Sequence, residues 1–323
     1  MPKKYAIIVT DGYALSREDL SWQGIERFGK VTIYDFTQPD ELRNRIKEAD
    51  ILIVNKTVIS AETIAVMPNL KYIGVTATGY NNVDAKAAAA RNIPVCNVVG
   101  YGSQTVAQHV FALILELTNQ VAVHHAAVQA GEWGSQPHFC ITKTPLMELS
   151  GKILGIYGFS GIGQEVAKIG RAFDMKIIVH RRNTEGSKPH GLRYVSLDEL
   201  LSKSDVLTLN ASLNADNQGL IDIYNLKKMK PTALLINTGR GGFIVEKDLK
   251  EALETGIIAG AGLDVLTTEP PTAGSVLMGV KNCLITPHNA WAAIEARQRL
   301  MRLAEDNVKA FLKGKAKNVV NLT

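Results

Sequence analysis

Short apolar runs alternate with amphipathic stretches along the first hundred residues. Five apolar runs predict strands, at residues 5–9, 31–34, 51–54, 72–75 and 95–98. Between them, residues 41–48 and 61–66 carry apolar side chains at helical spacing. Mostly apolar strands that alternate with helices are typical of a parallel α/β sheet. The first third of the chain is therefore predicted to form one such sheet.

A second series of the same kind begins near residue 152. Its apolar runs lie at residues 153–157, 176–179, 206–209, 233–236, 258–262 and 283–286. A long, mostly apolar helix from residue 104 to about residue 131 is predicted before it, and a helical pattern from 291 to 313 follows it. We predict a second doubly wound parallel sheet, with domain boundaries near residues 100 and 290.

The composition is that of an ordinary globular protein. Of the 323 residues, 46% are hydrophobic and 21% are charged, which excludes disordered and low-complexity classes. A net charge of +5, spread along the chain, does not predict nucleic-acid binding but suits a small anionic ligand. Cys96, Cys140 and Cys283 fit neither a disulfide framework nor a zinc site. With no secretory pattern and no clean apolar span, we expect a cytoplasmic protein that contains no metal.

A glycine cluster marks the first candidate site. The strand at 153–157 is followed by Gly158-Phe-Ser-Gly-Ile-Gly163 and then by a helix, predicted from 164 to 173. In a dinucleotide-binding turn the first glycine allows the tight bend, the second lets the backbone approach the pyrophosphate, and the third lets the helix pack on the strand. Ser160 replaces the second glycine here. The alternative is an ordinary glycine-rich turn with no ligand.

The end of the next strand decides which dinucleotide fits. NAD sites carry an acidic residue there, which accepts hydrogen bonds from the ribose hydroxyls. This chain has His180-Arg181-Arg182-Asn183 instead, and Asp174 and Glu185 are poorly placed. A guanidinium matches a 2′-phosphate in charge and geometry, so Arg181 favours NADP(H) over NAD(H). Solvated arginines on a surface loop are the alternative.

Three further polar residues each follow a different predicted strand, where ligands bind in doubly wound sheets. They are Arg240, Glu269 and His288. For a 2-oxo acid, His288 would protonate the carbonyl oxygen and Glu269 would orient the ring and favour its charged form. Arg240 would bind the carboxylate and polarise the carbonyl. Each residue alone could be structural, but their occurrence in successive units beside a dinucleotide turn favours catalysis.

The order of these motifs resembles the D-isomer-specific 2-hydroxyacid dehydrogenase family over essentially the whole chain. The matching motifs are the glycine turn, Asn-Thr-Gly-Arg-Gly-Gly, Gly-Leu-Asp-Val, Glu-Pro-Pro and Thr-Pro-His-x-Ala-Trp. Residues 72–84, 106–108, 130–133 and 137–140 are most similar to the glycerate dehydrogenase (hydroxypyruvate reductase) branch. The resemblance implies a Rossmann-type cofactor domain, residues 101–290, and a flavodoxin-like substrate domain, residues 1–100 plus 291–323. It also implies a homodimer formed through residues 106–145.

The resemblance further implies hydride transfer between NAD(P)H and a short 2-oxo acid, with hydroxypyruvate or glyoxylate giving D-glycerate or glycolate. A phosphoglycerate- or lactate-type dehydrogenase and a non-catalytic, dinucleotide-sensing corepressor-like protein are the alternatives. Arg240, Glu269 and His288 match the family's catalytic residues, and Thr78-Gly79 matches its carboxylate-binding loop. Asn55-Lys56, Tyr80 and the loop at 133–139 are candidate pocket residues, and loop packing or an interface is the alternative for them. The positions that match cofactor contacts are Gly158, Ser160, Gly161, Ile162, Gly163, Arg181, Ala211, Ser212, Asn217, Thr238, Gly239 and Asp264.

Overall fold

The computed structural model describes residues 5–181 and 192–322. The chain divides into two compact units: unit 1 is Met1–Gly102 with Ala292–Thr323, and unit 2 is Ser103–Trp291. Each unit is built around one parallel sheet with helices between its strands. The predicted fold class, two α/β domains with parallel sheets, is confirmed.

Unit 1 contains a five-stranded sheet in the order β2-β1-β3-β4-β5, the order of flavodoxin-like folds. The strands are β1 (Tyr5–Val9), β2 (Gly29–Ile33), β3 (Ile51–Val54), β4 (Tyr72–Val75) and β5 (Val95–Cys96). The helices between them are α1 (Gln23–Glu26), α2 (Pro39–Ile46), α3 (Ala61–Ala65) and α4 (Ala85–Ala90). Every residue of β3 and β4 is buried, which explains why these strands are continuous apolar runs.

Unit 2 contains a seven-stranded sheet in the order β12-β11-β10-β9-β6-β7-β8. Its strands are β6 (Ile153–Tyr157), β7 (Lys176–His180), β8 (Arg193–Tyr194), β9 (Val206–Leu209), β10 (Leu234–Asn237), β11 (Gly260–Leu263) and β12 (Cys283–Ile285). Its helices are α5 (Ser103–Asn119), α6 (Val121–Gln129), α7 (Gly161–Ala172), α8 (Leu197–Lys203), α9 (Ile223–Leu226) and α10 (Glu246–Glu254). The strand order reverses between β6 and β9, where a doubly wound sheet opens a crevice for a ligand.

The last helix, α11 (Ile294–Leu312), belongs to unit 1. Its apolar face is buried, and the rings of Phe311 and Tyr72 lie 4.8 Å apart. Near its start the buried Arg297 donates two hydrogen bonds to the carboxylate of Asp19, at 2.6 and 2.7 Å. This pair joins the last helix to the loop that follows β1, and the Arg297 guanidinium holds the pKa of Asp19 well below its usual range.

The single helix predicted from residue 104 to about 131 is wrong. The structure has α5 and α6 instead, bent by 51° at Gln120, which adopts a left-handed φ of +44°. Just before the bend, Thr118 Oγ1 donates to the carbonyl of Ile114 at 2.9 Å, and Asn119 Nδ2 donates to that of Leu115 at 3.3 Å. Side chains that compete for helix carbonyls favour a bend, and a left-handed residue ends the helical hydrogen-bond pattern. In the described part of the chain no single helix has the length and apolarity of a membrane span, although this bent pair does when taken together.

The three cysteines form no disulfide. Burial raises the pKa of Cys96 to about 11. Burial, assisted by the charge of Glu246, raises the pKa of Cys283 to about 12. Neither is therefore a thiolate near neutral pH, and Cys140 is exposed.

Candidate active site

The glycine turn connects β6 to α7 at the point where the strand order reverses. Gly158 has a φ of +89°, and a Cβ there would lie 2.6 Å from the backbone of Ala211, which follows β9. A Cβ on Gly163 would lie 2.4 Å from the carbonyl oxygen of Gly158. Both positions therefore require glycine, and Ile162 between them packs its partly buried side chain on the core. Helix α7 begins at Gly161, three residues earlier than predicted.

The first turn of α7 is arranged to receive an anion. Ser160 is the residue before the helix, and its side chain makes no capping hydrogen bond. Its Oγ lies 3.5 Å from the carbonyl oxygen of Asn210, a long contact that a better acceptor could replace. The first N–H groups of an α-helix have no partner within the helix, and the helix dipole favours negative charge there. The turn therefore fits a pyrophosphate, and Ser160 is compatible with that role.

Arg181, the predicted contact to a 2′-phosphate, lies directly after β7. Its guanidinium carbon lies 4.7 Å above the centre of the Tyr194 ring. The ring of Tyr194 thus helps to fix the direction of the Arg181 side chain. The neighbouring His180 stacks on Tyr157 and contacts the carbonyl of Val195 at 3.0 Å through Nδ1. Arg182, Asn183 and Glu185 lie outside the described residues.

The loops after β9 and β10 contain the next predicted contacts. The buried Asn217 holds the first loop by donating from Nδ2 to the carbonyl of Ser212 at 2.9 Å. The buried Thr238 Oγ1 has no hydrogen-bond partner among the described residues. Gly239 donates its N–H to Asn237 Oδ1 at 3.0 Å. A buried hydroxyl without a partner at the carboxyl end of a strand is compatible with a site that binds a polar cofactor.

Arg240 follows β10 and is half-buried. Its backbone carbonyl accepts a hydrogen bond from Asn237 Nδ2 at 2.8 Å, and its Nη1 donates to the carbonyl of Gly239 at 2.7 Å. A Cβ on the next residue, Gly241, would lie 2.0 Å from the carbonyl carbon of Leu266. Glycine at 241 therefore lets the loop that carries Arg240 contact the loop that leads to Glu269.

Glu269 and His288 form a direct pair. His288 Nδ1 lies 2.5 Å from Glu269 Oε2, and the other oxygen, Oε1, accepts the N–H of Leu266 at 2.9 Å. Because a carboxylate only accepts, Nδ1 of His288 carries the hydrogen and Nε2 is the atom left for a ligand. The side chains of His288 and Glu269 are 24% and 32% exposed, so the pair is accessible.

Asp264 is also a predicted cofactor-binding residue, but its described contacts are with other residues of this chain. Its carboxylate is 1% exposed and accepts the N–H groups of Asn289 and Ala290, each at 2.9 Å. The hydroxyl of Thr286 donates to it at 2.6 Å. The described contacts of Asp264 therefore hold the turn that carries His288, and its contact with the cofactor stays a prediction.

In unit 1, the Thr78-Gly79 loop follows β4. Thr78 Oγ1 donates to the carbonyl of Val98 at 3.0 Å, and Asn97 Nδ2 donates to the carbonyl of Thr78 at 2.7 Å. The candidate pocket residue Asn55 is buried and donates to the carbonyl of Thr76 at 2.6 Å, which makes it part of the loop framework. Its neighbour Lys56 and Tyr80 are exposed.

A cavity of unit 2 lies elsewhere. It measures about 570 Å³ and is lined by residues that precede strands, such as Lys152, Asp205 and Asn282. Those residues are at the amino ends of the strands, whereas Arg240, Glu269 and His288 follow the carboxyl ends. In the described parts of the chain no cluster of three metal-ligating side chains is present.

Comparison with known proteins is consistent with this geometry. The family model for the D-isomer specific 2-hydroxyacid dehydrogenase NAD binding domain matches residues 111–290. The chain is 44% identical to hydroxypyruvate reductase from Blautia hydrogenotrophica, over 98% of this chain and 99% of that protein. It is 39% identical to glycerate dehydrogenase from Methylorubrum extorquens, over 87% of this chain and 88% of that protein.

A solved structure shows the same fold over nearly the full length. The NADPH-dependent glyoxylate/hydroxypyruvate reductase from Sinorhizobium meliloti, in complex with NADP and malonate, matches with a TM-score of 0.80 and 26% identity. The match covers 98% of this chain and 97% of that one. The chain therefore belongs to the D-isomer-specific 2-hydroxyacid dehydrogenase family. It is an oxidoreductase whose cofactor is a nicotinamide dinucleotide, and its relatives are in the glycerate dehydrogenase and hydroxypyruvate reductase branch, as predicted.

Proposed function

We propose that this protein reduces hydroxypyruvate and glyoxylate to D-glycerate and glycolate, with NADPH as the preferred cofactor. The observation that carries the proposal is the 2.5 Å contact between His288 Nδ1 and Glu269 Oε2 in a dinucleotide-binding unit. Relatives at 44% and 39% identity carry the names hydroxypyruvate reductase and glycerate dehydrogenase, which supports the substrate class.

The proposed chemistry assigns one task to each side chain. When bound, the nicotinamide supplies a hydride to the carbonyl carbon of the substrate. His288 donates a proton from Nε2 to the carbonyl oxygen as negative charge develops there. This requires both ring nitrogens to carry hydrogen, and the Glu269 carboxylate stabilises that charged ring. Arg240 binds the substrate carboxylate and stabilises charge on the oxygen.

Besides Arg240, backbone groups of the Thr78-Gly79 loop in unit 1 are proposed to bind the substrate carboxylate, and unit 2 is proposed to bind the dinucleotide. In unit 1, the hydrogen bonds of Thr78 to Val98 and Asn97 hold the loop so that backbone N–H groups at Thr78-Gly79 can meet an anion. In unit 2, the glycine turn and the loops at Ala211, Ser212, Asn217, Thr238 and Gly239 are proposed to contact the dinucleotide.

The preference for NADPH rests on Arg181. Its guanidinium follows β7, where NAD sites have an acid, and it is supported by the ring of Tyr194. The Sinorhizobium meliloti reductase in complex with NADP is a relative that uses this cofactor. One assay tests both the substrate class and the cofactor preference. The purified protein is mixed with hydroxypyruvate or glyoxylate and with either NADPH or NADH, and the loss of absorbance of the reduced nicotinamide is followed.

Rapid oxidation of NADPH, slower oxidation of NADH, and D-glycerate as the product from hydroxypyruvate would support the proposal. No oxidation of either cofactor with any short 2-oxo acid would refute the enzymatic activity and favour a non-catalytic, dinucleotide-binding role. Equal or faster use of NADH would refute only the assignment to Arg181.

We also propose that the protein is a homodimer formed through α6 and the loop that follows it. Large apolar side chains are exposed there, among them Val121, Val128, Trp133 and Phe139, the last of which is 92% exposed. Large exposed apolar side chains that follow one another closely in the sequence favour an interaction surface. Sedimentation at micromolar concentration tests this: a species of twice the 35.1 kDa chain mass is expected, and a purely monomeric profile would contradict it. A cytoplasmic location stays a prediction.

A further inference from the structure

The backbone that carries His288 is held in an unusual conformation. His288 has a φ of +51°, in the left-handed region that side chains other than glycine rarely adopt. Its N–H donates to the backbone carbonyl of Asp264 at 2.9 Å, and the Asp264 carboxylate accepts the N–H groups of Asn289 and Ala290. A conformation of this kind persists only where neighbouring groups hold it. Asp264 supplies that support from both its backbone and its side chain.

A histidine from a distant part of the chain completes this arrangement. His109 lies on α5, and its Nε2 is 2.9 Å from Thr286 Oγ1 and 3.6 Å from Asp264 Oδ1. Helix α5 packs closely on β11. A Cβ on Gly262 of β11 would lie 3.0 Å from the Cβ of Leu113 on α5. The helix thus brings His109 to the end of the strand that leads into Asp264.

Hydrogen-bond counting fixes the direction of these contacts. Thr286 has one hydroxyl hydrogen, and the Asp264 carboxylate, 2.6 Å away, can only accept it. The other possible acceptor for that hydrogen, the carbonyl of Leu263, is 3.4 Å away and therefore weaker. Thr286 Oγ1 must then accept from His109, so His109 Nε2 carries a hydrogen. The chain of donation runs from His109 to Thr286 and on to Asp264.

We propose that His109 is a positioning residue for the proton donor His288. Its Nε2–H holds the Thr286 hydroxyl toward Asp264, and Asp264 in turn holds the turn at 286–290 in the conformation that presents the His288 ring. This role rests on the proposed function, because it supposes that His288 is the proton donor. His109 does not contact the reacting atoms in this proposal.

The test compares three variants with the wild-type holoenzyme. His109→Leu removes the donor, and His109→Gln keeps an N–H near the position of Nε2. His124→Leu makes the same change on α6, where the histidine contacts the carbonyl of Gln120 and the N–H of Lys143. We expect His109→Leu to lower kcat roughly ten- to a hundredfold, because small misplacements of a catalytic group have effects of this size. The Kd for NADPH, measured by protein fluorescence, is expected to stay unchanged. His109→Gln should recover most of the loss, and His124→Leu should match wild type.

A second measurement separates positioning from a general structural effect. In a His288→Gln background, His109→Leu should cause no further loss of kcat, because the group it positions is already gone. An unchanged kcat in His109→Leu, or a full additional loss in the His288→Gln background, would overturn the proposal.

A third measurement separates the role of His109 from the proposed activity. Amide hydrogen exchange at Asn289 and Ala290 reports their bonds to Asp264, and His109→Leu should accelerate it by roughly tenfold or more, whereas His109→Gln should not. Unchanged exchange with an active wild-type enzyme would refute the role of His109 alone. Accelerated exchange in a protein that reduces no 2-oxo acid would refute the proposed function and retain the structural link.

Discussion

The carboxyl edges of the two sheets use ionisable groups in opposite ways. In unit 2, Glu269 and His288 follow neighbouring strands and are 32% and 24% exposed, so both side chains are accessible to a ligand. In unit 1, Asp11 follows β1 but is only 8% exposed, and its carboxylate accepts the N–H groups of Asn55, Lys56 and Thr57. The same architecture thus supports reactive side chains at one edge and a fixed backbone at the other. The first suits bond making, and the second suits recognition of an anion.

The largest expected effect concerns His288 in unit 2. His288→Gln keeps a hydrogen-bond donor but cannot transfer a proton, so kcat for hydroxypyruvate reduction should fall by ~10²–10⁴. The Kd for NADPH should barely change, because the side chain acts on the substrate. Stopped-flow single-turnover kinetics and fluorescence titration measure the two quantities. Near-normal turnover would mean that the proton comes from another source and would remove the contrast between the two edges.

A smaller effect is expected at Arg181, the proposed contact to the 2′-phosphate in unit 2. Arg181→Asp should lower kcat/KM for NADPH by roughly ten- to a hundredfold, since a charge-assisted pair contributes ~1.5–3 kcal/mol. Use of NADH should stay level or improve, because NADH lacks the 2′-phosphate. Arg193→Asp is the matched control, since it makes the same charge change on β8, where Arg193 pairs with Glu199. Equal losses in both variants would indicate a general electrostatic effect.

Much of this architecture could be predicted from the apolar pattern. The predicted bounds of β3, β4, β6 and β9 match the structure because buried parallel strands are continuous apolar runs. The apolar pattern did not predict the bend at Gln120, because apolar residues continue at helical spacing on both sides of it. The two-residue strand Arg193–Tyr194 is too short and polar to give a pattern.

The candidate site could be predicted only in part, because some of its contacts join residues that are far apart in the sequence. Arg240, Glu269 and His288 could be found because each follows a predicted strand. His109 could not be found, since 177 residues separate it from Thr286 and no local motif marks the contact. Likewise, the inward direction of the Asp264 carboxylate depends on the N–H groups of a loop 25 residues away.

Glu269→Gln tests whether the pair in unit 2 works through charge. The variant keeps an oxygen for the Nδ1–H of His288 but removes the negative charge that stabilises the protonated ring. The kcat for hydroxypyruvate reduction should therefore fall roughly tenfold, while the Kd for NADPH stays unchanged. Single-turnover kinetics and fluorescence titration measure the two quantities. An unchanged kcat would mean that Glu269 orients the ring through its oxygen and that its charge is not needed.

The smallest expected effect is in unit 1, where the edge binds through its backbone. In Asp11→Asn an amide NH₂ replaces one carboxylate oxygen and faces N–H groups that need an acceptor, so the loop at 55–57 should loosen. That loop is bonded to the next one through Asn82 Nδ2, which donates to the carbonyl of Thr57 at 2.9 Å. We expect the KM for hydroxypyruvate to rise roughly three- to tenfold while kcat changes little, because the anion is held less well but the proton donor is intact. The free energy of unfolding should fall by about 1–3 kcal/mol.

Asp50→Asn is the matched control for this change. Asp50 is also buried, at the amino edge of the same sheet, where its carboxylate accepts from Ala6 N and Lys71 Nζ, each at 3.0 Å. It should lose comparable stability and leave KM unchanged, because nothing at that edge is proposed to bind substrate. If Asp11→Asn and Asp50→Asn raise KM equally, the effect of Asp11→Asn on KM comes from the loss of stability alone. If Asp11→Asn lowers kcat as much as it raises KM, the two edges do not divide binding from bond making as proposed.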